Sequence, residues 1–89
     1  MFDDETTIAW PAMPQHAPVV DAQGDEIGIV TAVLGDESED IFHGVAVTRR
    51  HDGQTVEIAA ARIKRITTGH VVTDLAPDEV AGLAHYRAR

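Results

Sequence analysis

Residues 19–33, Val-Val-Asp-Ala-Gln-Gly-Asp-Glu-Ile-Gly-Ile-Val-Thr-Ala-Val, constrain the fold more than any other stretch. They read as strand, tight turn, strand. Gln23, Gly24 and Asp25 supply the turn, because glycine takes a positive φ at no steric cost and the polar neighbours suit water. The second strand carries Ile27, Ile29, Val30, Thr31 and Val33, β-branched residues that fit a pleated, half-buried surface. Gly28 interrupts it. A glycine inside a strand marks a bulge, a bend or the close approach of another backbone. A bent strand early in a short chain predicts a sheet that curls into a barrel.

A chain of 89 residues is one domain, and without cysteine it can use neither disulfides nor thiolate metal sites. Its stability must come from an apolar core, with oligomerisation as a further source. No apolar run approaches the ~18 residues of a membrane-spanning helix. The acidic start, Met1-Phe2-Asp3-Asp4-Glu5, lacks the basic region of a secretory signal. The expectation is a cytoplasmic protein. The formal charge is −8, which disfavours broad contact with nucleic acid or an anionic membrane. The charge is also polarised. Residues 1–48 hold ten acidic groups and no lysine or arginine, whereas Arg49, Arg50, Arg62, Lys64 and Arg65 crowd into 49–65. Such a chain either compensates internally or offers opposite faces to a partner or to a second copy.

The rest reads as strands joined by turns. Residues 1–15 form an N-terminal arm with no sustained period, in which Pro11 and Pro14 lock φ and favour extended neighbours. Residues 35–40 form an acidic loop. Asp36, Ser38 and Asp40 have the alternate spacing of a calcium loop, but Ile41 stands where the turn glycine belongs and Val47 where the bidentate glutamate belongs. Residues 41–48 are a third strand, Asp52-Gly53 a hairpin turn, and 55–59 a cleanly alternating fourth strand. Ala59, Ala60 and Ala61 turn the chain. Ile63 and Ile66, three apart, do not fit an undisturbed strand and call for a bend. Residues 70–75 are the last strand. A helix follows over 77–87, with Pro77 at its first position, Asp78 and Glu79 in its first turn, and Val80, Leu83 and Ala84 on one face. The fold class is therefore all-β, a small, strongly bent β-barrel with a short C-terminal helix.

The order of these segments resembles the PRC-barrel family. Residues 19–30 carry that family's V-x-D-x-x-G-x-x-I-G-x-V hairpin, and 56–63 resemble its V-P-A-x-x-I segment, with Ala59 in place of the usual proline. The resemblance spans about residues 16–85. It implies a PRC-barrel-like domain over 16–89, related in shape to SH3-like barrels. Members occur in the H subunit of photosynthetic reaction centres and in a ribosome-maturation factor, and many stand alone. Their shared theme is protein contact, and the family has no common catalytic residues to carry over.

The residues themselves suggest no enzyme. His16, His43, His51, His70 and His85 are scattered without metal-ligand spacing. Ser38, the one serine, sits among acids that would oppose an alkoxide. No glycine-rich phosphate loop occurs. The expectation is a non-catalytic protein-protein interaction module without metal or cofactor, with a homodimer among its expected forms. Trp10, Phe42 and Tyr86 are its candidate apolar anchors, and Arg49, Arg62 and Arg65 its candidate charged contacts. A ribosome- or RNA-associated assembly factor and a small-ligand or metal-binding barrel are the alternatives.

Overall fold

The computed structural model describes Phe2 and residues 4–86. Asp21 ties the first turn. Its Oδ1 accepts hydrogen bonds from the backbone N–H groups of Gln23 at 2.9 Å and Asp25 at 3.1 Å. Its own N–H donates to the Asp25 carbonyl at 2.9 Å, and Gly24 takes φ 89°. The turn joins β1 (Pro18–Val20) to β2 (Glu26–Asp36) in an antiparallel pair. β3 (Ile41–Arg49) returns along β2, and β4 (Thr55–Ala59) returns along β3. A 3-10 turn at Ala60–Arg62 leads into β5 (Ile63–Ile66), which pairs with β6 (Val71–Thr73).

The close approach expected at Gly28 is present. A Cβ there would collide with the carbonyl oxygen of Thr48 on β3. The bend expected between Ile63 and Ile66 is a shift of register between Ile63 and Arg65. Further shifts fall between Val30 and Ala32, where β2 carries the extra residue Thr31, and between Leu34 and Gly35, where β3 carries the extra residue His43. Each of the two long strands is therefore bulged once.

The six strands form one mixed sheet in the order β4-β3-β2-β1-β6-β5, with β1 and β6 parallel. The fold is mainly β, as expected. Among the described residues no ladder joins β4 to β5, so hydrogen bonding leaves the sheet open and does not close a barrel. Cross-strand rows build the core on one face: Val30 opposite Val47 opposite Val56, and Val45 opposite Ile58. Met13, Val19, Ile66, Val71 and Leu75 complete it. Burying these side chains stabilises by roughly 1.5–3 kcal/mol each before entropy is counted.

The chain's ends extend both edges of this sheet. Thr7 bridges Thr67, the Ile8 N–H donates to the Ile66 carbonyl at 2.9 Å, and the Thr68 N–H donates to Thr6 at 3.0 Å. At the other edge His85 bridges Val56, the Glu57 N–H donates to Ala84 at 2.9 Å and the Tyr86 N–H to Thr55 at 3.0 Å.

That second pairing corrects the C-terminal helix. The expected span of 77–87 shrinks to one turn, α1 (Pro77–Val80). Gly82 costs helix propensity just past that turn, and the unpaired edge of β4 offers the next residues a hydrogen-bonded alternative. Val80 and Leu83 still pack against the core. Arg87, the expected last helical residue, lies outside the described residues.

Candidate functional site

Two strands outrun their neighbours. β1 reaches along β2 only to Ile29, and β4 reaches along β3 only to Gly44. Leu34, Gly35 and Asp36 therefore pair with β3 alone, and the end of the β2–β3 hairpin projects from the sheet. Its tip is acidic. The Asp36 carboxylate accepts from the Ser38 hydroxyl at 2.6 Å and the Ser38 N–H at 3.0 Å. These bonds, the hydroxyl first, hold its pKa below the usual aspartate value. Glu37 and Glu39 are exposed, and among the described residues no cation pairs with either.

The N-terminal arm braces this hairpin. The Trp10 ring stacks on Phe42 with centroids 5.3 Å apart and 15° between planes. Its edge lies against Gly35, and its indole N–H donates to Asp40 Oδ1 at 3.3 Å. Both aromatics are half-buried against the core. β2 and β3 also expose large apolar side chains: Ile29, Val33 and Ile41 are 41%, 40% and 40% exposed.

The arm is held in turn by Glu5. Its Oε1 accepts from the Thr67 hydroxyl at 2.7 Å and lies 2.8 Å from His70 Nδ1. An ionised carboxylate only accepts, so Nδ1 carries the hydrogen. The Thr67 bond first, then the His70 bond, lower the Glu5 pKa. Phe2 stacks on the His70 ring at 3.7 Å.

The structure thus brings Trp10 and Phe42 together and leaves the other expected contacts elsewhere. Tyr86 is half-buried along the outer edge of β4. Arg49 is only 6% exposed. It grips Asp52 with Nε at 3.1 Å and Nη2 at 2.6 Å, and its Nη1 donates to the carbonyls of Val80 at 3.0 Å and Ala81 at 3.3 Å. Arg49 therefore fastens α1 to the β3–β4 turn and is not a free surface charge. Arg62 bonds Asp74 at 2.7 Å and both oxygens of Glu79, at 2.9 and 3.0 Å. Those bonds, the Glu79 pair first, raise its pKa. Arg65 is half-buried on β5, and its charge acts on Glu5. Arg50 reaches Glu26 at 2.6 Å.

Sequence reasoning missed Ile29, Val33 and Ile41 as surface residues. Their alternation reads as a half-buried strand, and it does not contain the lengths of β1 and β4, which leave Val33 and Ile41 beyond their ends. Among the described residues no three His, Asp or Glu converge on a metal-sized site. No described helix is long and apolar enough to cross a membrane. No protein-family model matches the chain, and no curated protein matches it.

Proposed function

We propose that this chain is a non-catalytic protein-interaction module of PRC-barrel type, acting in the cytoplasm, and that the projecting β2–β3 hairpin is its contact surface. The family part of the reading is supported by the residue 19–30 motif, the segment at 56–63 and the all-β fold. The site part is carried by one observation. Val33 and Ile41 stand exposed on a hairpin that its neighbours leave uncovered and that the Trp10–Phe42 stack braces. Exposed apolar side chains on a hairpin braced by an aromatic pair suit a partner's surface. The arginines favour a protein over RNA. Arg49, Arg50 and Arg62 already spend their charge on this chain's own carboxylates, and phosphate contact needs free cations.

The test is affinity capture from the source cell with the wild-type chain and with Val33→Asp/Ile41→Asp. We expect specific proteins to be retained by the wild type after nuclease treatment and lost from the variant, whose melting temperature and Trp10 emission stay unchanged. Equal retention by both chains would overturn the assignment of the surface. Retention abolished by nuclease would overturn the protein-partner reading.

A further inference from the structure

We propose that the uncovered edge of β2 beyond Val30 takes up an extended, lysine- or arginine-bearing segment of a partner protein as an added strand. The proposal rests on the interaction reading above and names the class of partner. The edges of this sheet are not equivalent. The arm pairs with the β5 edge and residues 84–86 pair with the β4 edge. β1 leaves β2 early, and the last bond on that side runs from the Val30 N–H to the Ala17 carbonyl at 3.0 Å. From there to Asp36, among the described residues, no strand pairs with that side of β2. A groove runs beside it, between residues 13–16 and 30–33. Met13 is buried there, while Thr31 and Val33 are exposed. A strand with unpaired backbone groups beside a groove is a template for another strand, with affinity from backbone hydrogen bonds and selection from alternate side chains.

Charge decides which strand. The β2 edge leads directly into Asp36, Glu37 and Glu39, while Arg49 and Arg50, at the opposite end of the β2–β3 ladder, are committed to Asp52 and Glu26. A second copy would bring the same acidic hairpin and a net charge of −8, so like charges oppose it. A basic segment finds attraction at the tip and apolar contact at Val33.

The test titrates the full chain, isotope-labelled for amide NMR, with a blocked peptide of alternating lysine and valine. One companion peptide has glutamate for lysine, and another carries methyl groups on alternate backbone nitrogens. We expect saturable shifts at the amides of residues 31–33 and 36–40. The methylated peptide should bind about tenfold more weakly, as the loss of two strand hydrogen bonds predicts. Glu37→Gln/Glu39→Gln should weaken the lysine peptide about threefold at low salt. Equal binding of the methylated or the glutamate peptide would overturn the proposal, as would shifts confined to other residues or none at all. So would a dimer of the chain itself occupying these amides. Such a failure leaves the interaction reading standing if capture still depends on Val33 and Ile41, and both fall if it does not.

Discussion

Gly28→Ala tests the backbone packing on which the hairpin depends. A methyl at Gly28 lands on the Thr48 carbonyl oxygen and 3.1 Å from the Arg49 Cα. Both obstacles are backbone, so no side-chain rotation relieves the clash and the β2–β3 ladder must spread. Overpacking of this kind costs about 1–3 kcal/mol, and loosening one ladder hydrogen bond adds about 1 kcal/mol. The expected loss is about 2–4 kcal/mol. A domain of this length has about 4–13 kcal/mol in all, so Tm should fall by roughly 10–25 °C. Urea unfolding followed by the emission of Trp10, the one tryptophan, and thermal melting by circular dichroism both read it. Gly53→Ala is the matched control. Gly53 sits in the β3–β4 turn, at φ 71°, and has nothing within 4 Å of its added Cβ, so only the left-handed backbone resists, at about 1 kcal/mol. If Gly28→Ala costs no more than Gly53→Ala, the close approach of β2 and β3 is not what Gly28 is there for.

Phe42→Ala removes the ring on which Trp10 stacks. Trp10 emission should shift to the red and stability fall by about 1–3 kcal/mol, less than for a fully buried aromatic; an unshifted emission spectrum would count against the stack. Ile58→Ala opens a cavity beneath Val45 and should cost about 2–5 kcal/mol in a denaturant melt; a cost under about 1 kcal/mol would mean that the site collapses. Glu5 has a lowered folded pKa, so its contribution is complete above the unfolded value near 4.3 and is lost as pH falls through the lower folded value. Amide shifts at Thr67 and His70 should therefore report release of the arm in acid, and Glu5→Gln should abolish that titration; a titration that persists in the variant would assign it to another group. Arg49→Ala strips the donors from the carbonyls of Val80 and Ala81, so hydrogen exchange at Gly82 should quicken about tenfold; unchanged exchange would show that α1 docks without Arg49.

Much of the fold is legible in the residues. The alternation of 55–59, the positive-φ glycine of the 21–25 turn and the β-branched run after it are local signals, and each strand they specify is present. Even the odd spacing of Ile63 and Ile66 announces its bulge. The C-terminal helix shows where local signals mislead. Pro77, Asp78 and Glu79 start a helix as their propensities demand, but Glu79 also accepts from the Ala76 N–H at 3.0 Å and pairs with Arg62. The next residues then find backbone partners on β4 that no local pattern contains.

The basic cluster shows a similar division. Its existence is a fact of the sequence. Its use is not, because Asp74 and Glu79, which meet Arg62, lie twelve and seventeen residues away, and Arg49 is occupied by carbonyls from α1. The candidate site belongs wholly to this second kind of information. Trp10 and Phe42 are individually conspicuous, yet only the folded chain stacks them. The sequence by itself determined the strands, the turns and the acidic tip, since these rest on the conformational preferences and polarity of neighbouring residues. The tertiary structure decided where the strands stop covering one another, and so which apolar side chains remain outside, because exposure depends on the relative lengths and register of strands far apart in the chain.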